Sequence, residues 1–173
     1  MNLIYINSER GVFMFIIREA EAKEINEILD LWEEFTRYLN RMEPQFFQLK
    51  PDAREIYHEI LNNHINCPEY LVLVVEDFGE LVGYHIASIR YPNEVFIQEP
   101  YGHISDIYIK EKYRKKNVGV KLVDHSIKWL KMQGINNLNV KTFLFNPNGM
   151  AFWQRNGFEA YETAFKISLI NFF

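Results

Sequence analysis

The stretch ISDIYIKEKYRKKNVGVKLVDHSIKWL, residues 104–130, decides how the rest of the chain is read. Its opening run, 104–109, is rich in the β-branched and aromatic residues that suit a pleated surface, and it predicts a strand. A basic turn follows over 110–117. Apolar residues then recur at helical spacing, with Leu122, Val123, Ile127 and Leu130 on one face and Lys121, Asp124, Lys128 and Lys131 elsewhere. Strand, short polar loop and helix start together aim several backbone N–H groups at one point, where the helix dipole also favours negative charge. The stretch reads as a phosphate cradle.

Outward from it, the chain alternates between the two periodicities. Residues 1–11 read as an extra lead-in, either a short strand or a disordered stretch, and 12–18 predict a first strand, with Met14 an alternative start. A helix is expected over 22–39, carrying Ile25, Ile28, Leu29, Trp32 and Leu39 on one face. Residues 40–50, with Pro44, Phe46 and Phe47, read as a loop, and 52–63 as a second helix with Ala53, Ile56, Tyr57, Ile60 and Leu61 inward. From Tyr70 the period shortens: a strand over 70–77, a hairpin turn at Phe78, Gly79 and Glu80, and a partner strand over 81–90. Beyond the opening stretch and its terminal Gly134, a strand is expected over 135–145, a short helix over 149–155 and a last strand over 158–170. The order β-α-α-β-β-β-α-β-α-β describes one α/β domain over 1–173 around a single sheet.

Composition narrows the function classes. A net charge of −4 argues against a general nucleic-acid binder, which carries a basic stripe over much of its surface. The lone Cys67 excludes an intrachain disulfide and a cysteine-rich metal site, and no metal is expected. No apolar run approaches the ~20 residues of a membrane span, and the first residues lack the pattern of a signal peptide, so a cytoplasmic protein is expected. An apolar end, Asn171-Phe172-Phe173, suggests a partner surface such as a homodimer contact.

Two segments then carry a family resemblance. Arg114-Lys115-Lys116-Asn117-Val118-Gly119 resembles the [Arg/Gln]-x-x-Gly-x-[Gly/Ala] pyrophosphate loop of the GNAT superfamily, the acyl-CoA-dependent N-acyltransferases. Asn146-Pro147-Asn148-Gly149, with Trp153 to Phe158 after it, resembles the later segment of that family, and the order of elements matches from about Met14 to Ile170. The resemblance implies a mixed, mostly antiparallel sheet with a splayed pair of strands and helices on both faces. It also implies acetyl-CoA as acyl donor and a small amine or peptide amine as acceptor, with no nucleic acid and no membrane involved.

The loop can be argued physically as well. A pyrophosphate must come close to the backbone, so small residues or a left-handed conformation are needed there. Asn117 stands where the family has Gly, and Asn is among the few other residues that tolerate the left-handed region. Gly119 is expected to keep the helix start open, and Lys112, Arg114, Lys115 and Lys116 add positive charge suited to phosphates. A solvated charge run is the alternative.

In the preceding strand, Ile104, Ile107 and Ile109 are spaced by three and then two, which a β-bulge at Ser105-Asp106 would explain; a central strand buried on both faces would explain it too. The resemblance places the backbone of Ile107 and Ile109 on the pantetheine arm, and Arg114, Lys115, Lys116, Asn117, Val118, Gly119 and Val120 on the diphosphate. It also gives Asn146 either the pantetheine or, like Asn148, a helix cap, and makes Trp153 a wall of the channel.

For the chemistry, the resemblance offers Asp106 as general base, or else a structural acceptor near the bulge. The family often has Tyr where this chain has Trp153, and an indole N–H cannot serve as general acid. Tyr108 and Tyr161 are the alternatives, unless the thiolate leaves unassisted. Glu33, Glu34 and Glu43 are candidates to recognise a cationic acceptor; His85 and His103 are either structural or bases. The resemblance puts Phe46, Phe47, Tyr57, Tyr84 and Tyr101 around the acceptor, and a place in the core is the alternative for each. The reading is acetyl transfer to a primary amine by direct attack in a ternary complex. A catalytically silent acyl-CoA sensor and an α/β interaction domain without coenzyme are the rivals.

Overall fold

The computed structural model describes residues 2–8 and 11–167, with side chains from Phe15 onward. Six strands form one sheet in the order of the chain: β1 (Asn2–Ser8), β2 (Gly11–Glu19), β3 (Tyr70–Asp77), β4 (Glu80–Arg90), β5 (Tyr101–Ile109) and β6 (Leu138–Val140). Four helices complete it: α1 (Ile25–Met42), α2 (Ala53–Ile65), α3 (Val118–Met132) and α4 (Pro147–Arg155). Neighbouring strands pair antiparallel except β5 and β6, which are parallel and joined through α3, as a crossover connection requires. None of the helices among the described residues is long and apolar enough to cross a membrane.

The sheet is buried on both faces because β3 and β4 carry apolar residues on each. Leu71, Leu73 and Val75 join the core under α3 and α4, whereas Val72 and Val74 join the core under α1 and α2. α1 and α3 present the apolar stripe read from their periodicity: Ile25, Ile28 and Leu29 in α1, and Leu122, Val123 and Leu130 in α3. In α2 only Leu61 is fully buried, with Tyr57 and Ile65 partly buried on the same core, and Ile56 and Ile60 of the expected inward stripe are exposed. The entry to α1 is pinned by Glu24, whose carboxylate takes the Arg18 guanidinium at 2.6 Å and the Glu21 N–H at 2.8 Å; Arg18 also reaches Glu76 at 3.1 Å.

Of the two readings of the lead-in the strand is the one found: β1 pairs with β2. Three expectations are corrected. The strand expected over 135–145 contracts to three residues, and its remainder leaves the sheet through a turn at Leu144 and Phe145. Residues 158–167 form no strand, and Phe165 and Ile167 lie open to solvent, so this tail adds no strand to the β6 edge and meets it through side chains such as Tyr161 on Asn139. The rest of that expected strand, with Asn171-Phe172-Phe173, lies outside the described residues. The hairpin turn is also shorter than expected: Phe78 (φ 49°) and Gly79 (φ 84°) make a two-residue loop, and Glu80 already belongs to β4.

Candidate active site

The irregular spacing of β5 is a bulge. Ile86 faces Asp106 but Ala87 faces Ile104, so Ser105 is the extra residue. Val82 O accepts from Lys110 N–H at 2.9 Å, which sets the alternation of the antiparallel ladder. Tyr108 and Asp106 therefore turn their backbone bonds toward β4, and Ile107 and Ile109 turn theirs to the opposite edge. On that edge the pairing with β6 stops at Ile104 and Val140. The two parallel strands splay beyond this point, and the Ile107 and Ile109 peptide groups face the gap.

The gap leads to the start of α3. Lys115 (φ 60°) and Asn117 (φ 57°) are both left-handed, so the loop bends twice within three residues. Such alternation gathers successive N–H groups into an anion-binding concavity. Asn117 makes no side-chain cap, no acidic residue lies in the first turn, and Lys121 N–H is the first to bond back, to Asn117 O at 3.1 Å. The N–H groups of Val118, Gly119 and Val120 thus have no partner within the helix. Lys115 and Asn117 are exposed beside them.

Three residues at this turn behave otherwise than expected. A Cβ on Gly119 would sit 3.1 Å from the Phe152 ring, so this glycine admits α4 against α3 rather than holding the helix mouth open. Arg114 folds back: its Nε donates to Ile109 O at 2.8 Å, and its guanidinium lies 5.2 Å from the Tyr38 ring centre and 5.6 Å from that of Tyr108. Lys112 likewise turns to Glu80, at 3.9 Å.

The other face of β5, under α1 and α2, carries the titratable groups. Asp106 Oδ2 accepts from the Tyr57 hydroxyl at 3.1 Å, and Tyr57 stacks on Trp32 with ring centres 4.3 Å apart. The Tyr84 hydroxyl, wholly buried, leans toward the same carboxyl closely enough to bias it, yet it falls short of hydrogen-bond geometry and has no other partner among the described residues. Asp106 as a residue is only half-buried, but its carboxyl is enclosed by these rings. Burial raises its pKa above the ordinary aspartate value, against the opposing pull of the hydroxyls. Burial first, and Asp106 second, pushes Tyr57 well above the usual tyrosine range. Next along the strand, the Tyr108 hydroxyl donates to Glu34 Oε2 at 3.0 Å. Burial and that bond push Tyr108 up to about 12.

The remaining residues singled out from sequence separate into structural and peripheral. Asn146 caps α4, its Oδ1 accepting from Gly149 N–H at 3.1 Å. Trp153 is 6% exposed and edge-on to Phe152 and Phe158, a core anchor rather than a channel wall. Tyr161 is 68% exposed and accepts from Asn139 at 3.1 Å, in a surface cleft with Tyr101 at the start of β5 and away from the splay. His85 is fully buried against Ser126 of α3 at 2.5 Å, and burial pushes its pKa down to about 3, which leaves a neutral structural ring. His103 bonds Asn139 at 2.6 Å and ties β5 to β6. Glu33 is taken by Arg54 at 2.8 Å, and Glu43 ends α1. Phe46 and Phe47 pack on Phe143 and Phe145, joining the α1–α2 loop to the segment after β6.

Sequence reading missed the left-handed Lys115, the Arg114 side chain on Ile109 O, and the bond from Tyr57 to Asp106. The last has a partial signal, since Tyr57 lies on the inward stripe of α2; its partner is 49 residues away.

Comparison with known proteins agrees with this geometry. The acetyltransferase (GNAT) family model matches residues 26–158. No curated protein matches the chain. Among solved structures, a tetramutant of a Bacillus halodurans protein superposes with a TM-score of 0.77 at 18% identity, over 89% of this chain and 99% of that one. The aminoglycoside N-acetyltransferase AAC(6')-Iy, in complex with CoA, gives 0.70 at 18% identity over 94% and 98%. A predicted acetyltransferase with acetyl-CoA from Clostridium acetobutylicum gives 0.72 at 14% identity over 91% and 97%. The chain belongs to the GNAT family of acetyltransferases.

Proposed function

We propose that the protein transfers an acetyl group from acetyl-CoA to a primary amine by direct attack in a ternary complex. The observation that carries this reading is the continuity of β5. One edge of the strand offers the Ile107 peptide group and the Ile109 N–H, the Ile109 carbonyl being taken by Arg114, and runs into an uncapped helix start flanked by basic residues, while its other face holds Asp106. The residues present fit an acyl-CoA. The N–H groups of Val118, Gly119 and Val120, with Lys115 beside them, suit a diphosphate, and the strand edge suits an amide-bearing arm. The CoA and acetyl-CoA complexes of the similar structures support the same donor.

Each group then has one task. The Ile107 N–H, held rigid at the gap by the ladder to β4, polarises the thioester carbonyl oxygen. Asp106 takes the proton that the amine nitrogen sheds as its bond to the carbonyl carbon forms and the carbon–sulfur bond breaks. A raised pKa suits it to this, because a stronger base removes the proton more readily. Tyr108 keeps its hydroxyl proton on Glu34, and Tyr161 lies apart, so the sulfur leaves as thiolate without a tyrosine acid. Much of the rate comes from holding amine and thioester in line across the splay.

A calorimetric titration with acetyl-CoA, paired with a thiol-release assay across polyamines, aminosugars and peptide N-termini, tests the reading. Binding with amine-dependent thiol release supports it. Binding without release from any amine describes an acyl-CoA sensor instead, and no binding overturns the cradle.

A further inference from the structure

Among the described residues three arginines are half-buried: Arg18, Arg54 and Arg114. Two of them are paired. Arg18 holds Glu24 and Glu76 at 2.6 and 3.1 Å, and Arg54 holds Asp30 and Glu33 at 2.9 and 2.8 Å. Arg114 makes no ion pair among the described residues. Its Nε donates to Ile109 O at 2.8 Å, and its guanidinium lies 5.2 Å from the Tyr38 ring centre and 5.6 Å from that of Tyr108. The charge bears on the Tyr108 hydroxyl as well, though no Nη hydrogen bond forms among the described residues. The Glu34 carboxylate, one turn before Tyr38 on α1, takes that hydroxyl instead of the guanidinium. Aromatic faces offset only part of the cost of taking a cation out of water without a counter-charge. A guanidinium fixed in this way, with its Nη groups open, is preorganised for the two oxygens of a carboxylate.

We propose that Arg114 binds a carboxylate carried by the acceptor, so that the substrate is an amine with an acid group at dipeptide reach. The inference rests on the acetyl-transfer reading and narrows its acceptor. Two observations choose the acceptor over the donor as the source of the anion. The N–H groups of Val118, Gly119 and Val120 serve the diphosphate from the strand edge, whereas Tyr38 of α1 and Tyr108 hold Arg114 on the face that carries Asp106. To reach the diphosphate the guanidinium would give up Ile109 O and both rings. Solvent also reaches this face: Trp32, Phe35, Tyr38, Tyr57 and Arg114 are all only half-buried, which leaves a ligand a way in along β5. The reach follows from the strand. Asp106 and Tyr108 are two residues apart on one face, a separation of roughly 7 Å. Two extended residues span at most about the same length. A free α-amino acid, with amine and carboxylate on one carbon, falls short of it. Arg114 is a binding residue in this account.

The test is thiol release from acetyl-CoA with the dipeptides Gly-Phe and Gly-Gly, each beside its C-terminal amide, and with spermidine as an amine without an acid group. At least one dipeptide is expected to show a kcat/KM about tenfold or more above that of its amide, the worth of one charged hydrogen-bonded contact. Arg114→Gln is expected to bring this ratio close to one, through the KM of the dipeptide, with acetyl-CoA affinity unchanged by calorimetry. Arg114→Lys keeps the charge and loses the fork, so a smaller fall in the ratio is expected. An equal fall in both variants makes Arg114 a brace of the strand end and overturns the subsite. A Gln variant that keeps the ratio overturns it too, and weaker acetyl-CoA binding in that variant puts the guanidinium on the donor phosphates. Equal rates for dipeptides and amides, alongside release from spermidine, overturn the subsite and leave acetyl transfer standing. No release from any of these amines contradicts the acetyl-transfer reading itself.

Discussion

The two sides of β5 are built by different means. The edge that meets α3 is made of backbone: a bulge at Ser105, the Ile107 peptide and the Ile109 N–H turned to the gap, and two left-handed residues before an uncapped helix. The face under α1 and α2 is made of side chains from four elements, with Asp106, Tyr57, Tyr84, and Tyr108 on Glu34. A backbone site is encoded locally and tolerates many sequences. A side-chain site depends on tertiary contacts and is where substrate choice resides.

The comparison breaks most sharply at Asp106. Asp106→Asn is expected to lower turnover by about 10²-fold or more, the usual worth of a general base, with acetyl-CoA affinity unchanged by calorimetry. Because burial raises the carboxyl, the acid limb of kcat/KM is expected above the ordinary aspartate range, with rate rising as pH climbs through it. The Asn variant should lose that limb; a profile that keeps it assigns the proton elsewhere.

Asn117 tests the backbone side. A β-branched residue at φ 57° costs on the order of 1–2 kcal/mol. Asn117→Val should therefore weaken acetyl-CoA about tenfold in a titration, whereas Asn117→Gly stays close to wild type. Equal affinities for the Val and Gly variants would show that the left-handed turn does not shape the site. A smaller effect is expected at Asn146, now a cap. Asn146→Ala should cost about 1 kcal/mol in urea unfolding and leave acetyl-CoA affinity intact; a lost affinity with full stability would return Asn146 to the cofactor.

A control sits outside both regions. The Arg18 guanidinium holds the Glu24 carboxyl below the usual glutamate range. A depressed folded-state pKa contributes stability above the unfolded value and loses it as pH falls through the folded one. Unfolding measured from neutral to acid pH should show this loss, and Glu24→Gln should shrink it. The amine KM should not move.

The same division explains what was legible in the sequence. The bulge was visible in the spacing of Ile104, Ile107 and Ile109, and the left-handed Asn117 in its residue type, because both are properties of a few consecutive residues. Lys115 carried no such mark, since nothing about lysine announces a positive φ. On the other face, Asp106 and Tyr57 were each visible but their bond was not, because it spans 49 residues and depends on how α2 docks. Tyr108 as acid and Trp153 as channel wall failed for one reason. A motif position gives the residue but not its neighbours, and here Glu34 and Phe158 claim those side chains. The strand expected over 158–170 finds no partner strand over 158–167.

The central claim is that backbone N–H groups of one strand edge and one helix start hold the donor. Amide hydrogen exchange, with and without acetyl-CoA, reads those groups directly. The account predicts slowed exchange at Ile107, Val118, Gly119 and Val120 on binding. Binding that protects other segments and leaves these four amides unchanged would contradict it.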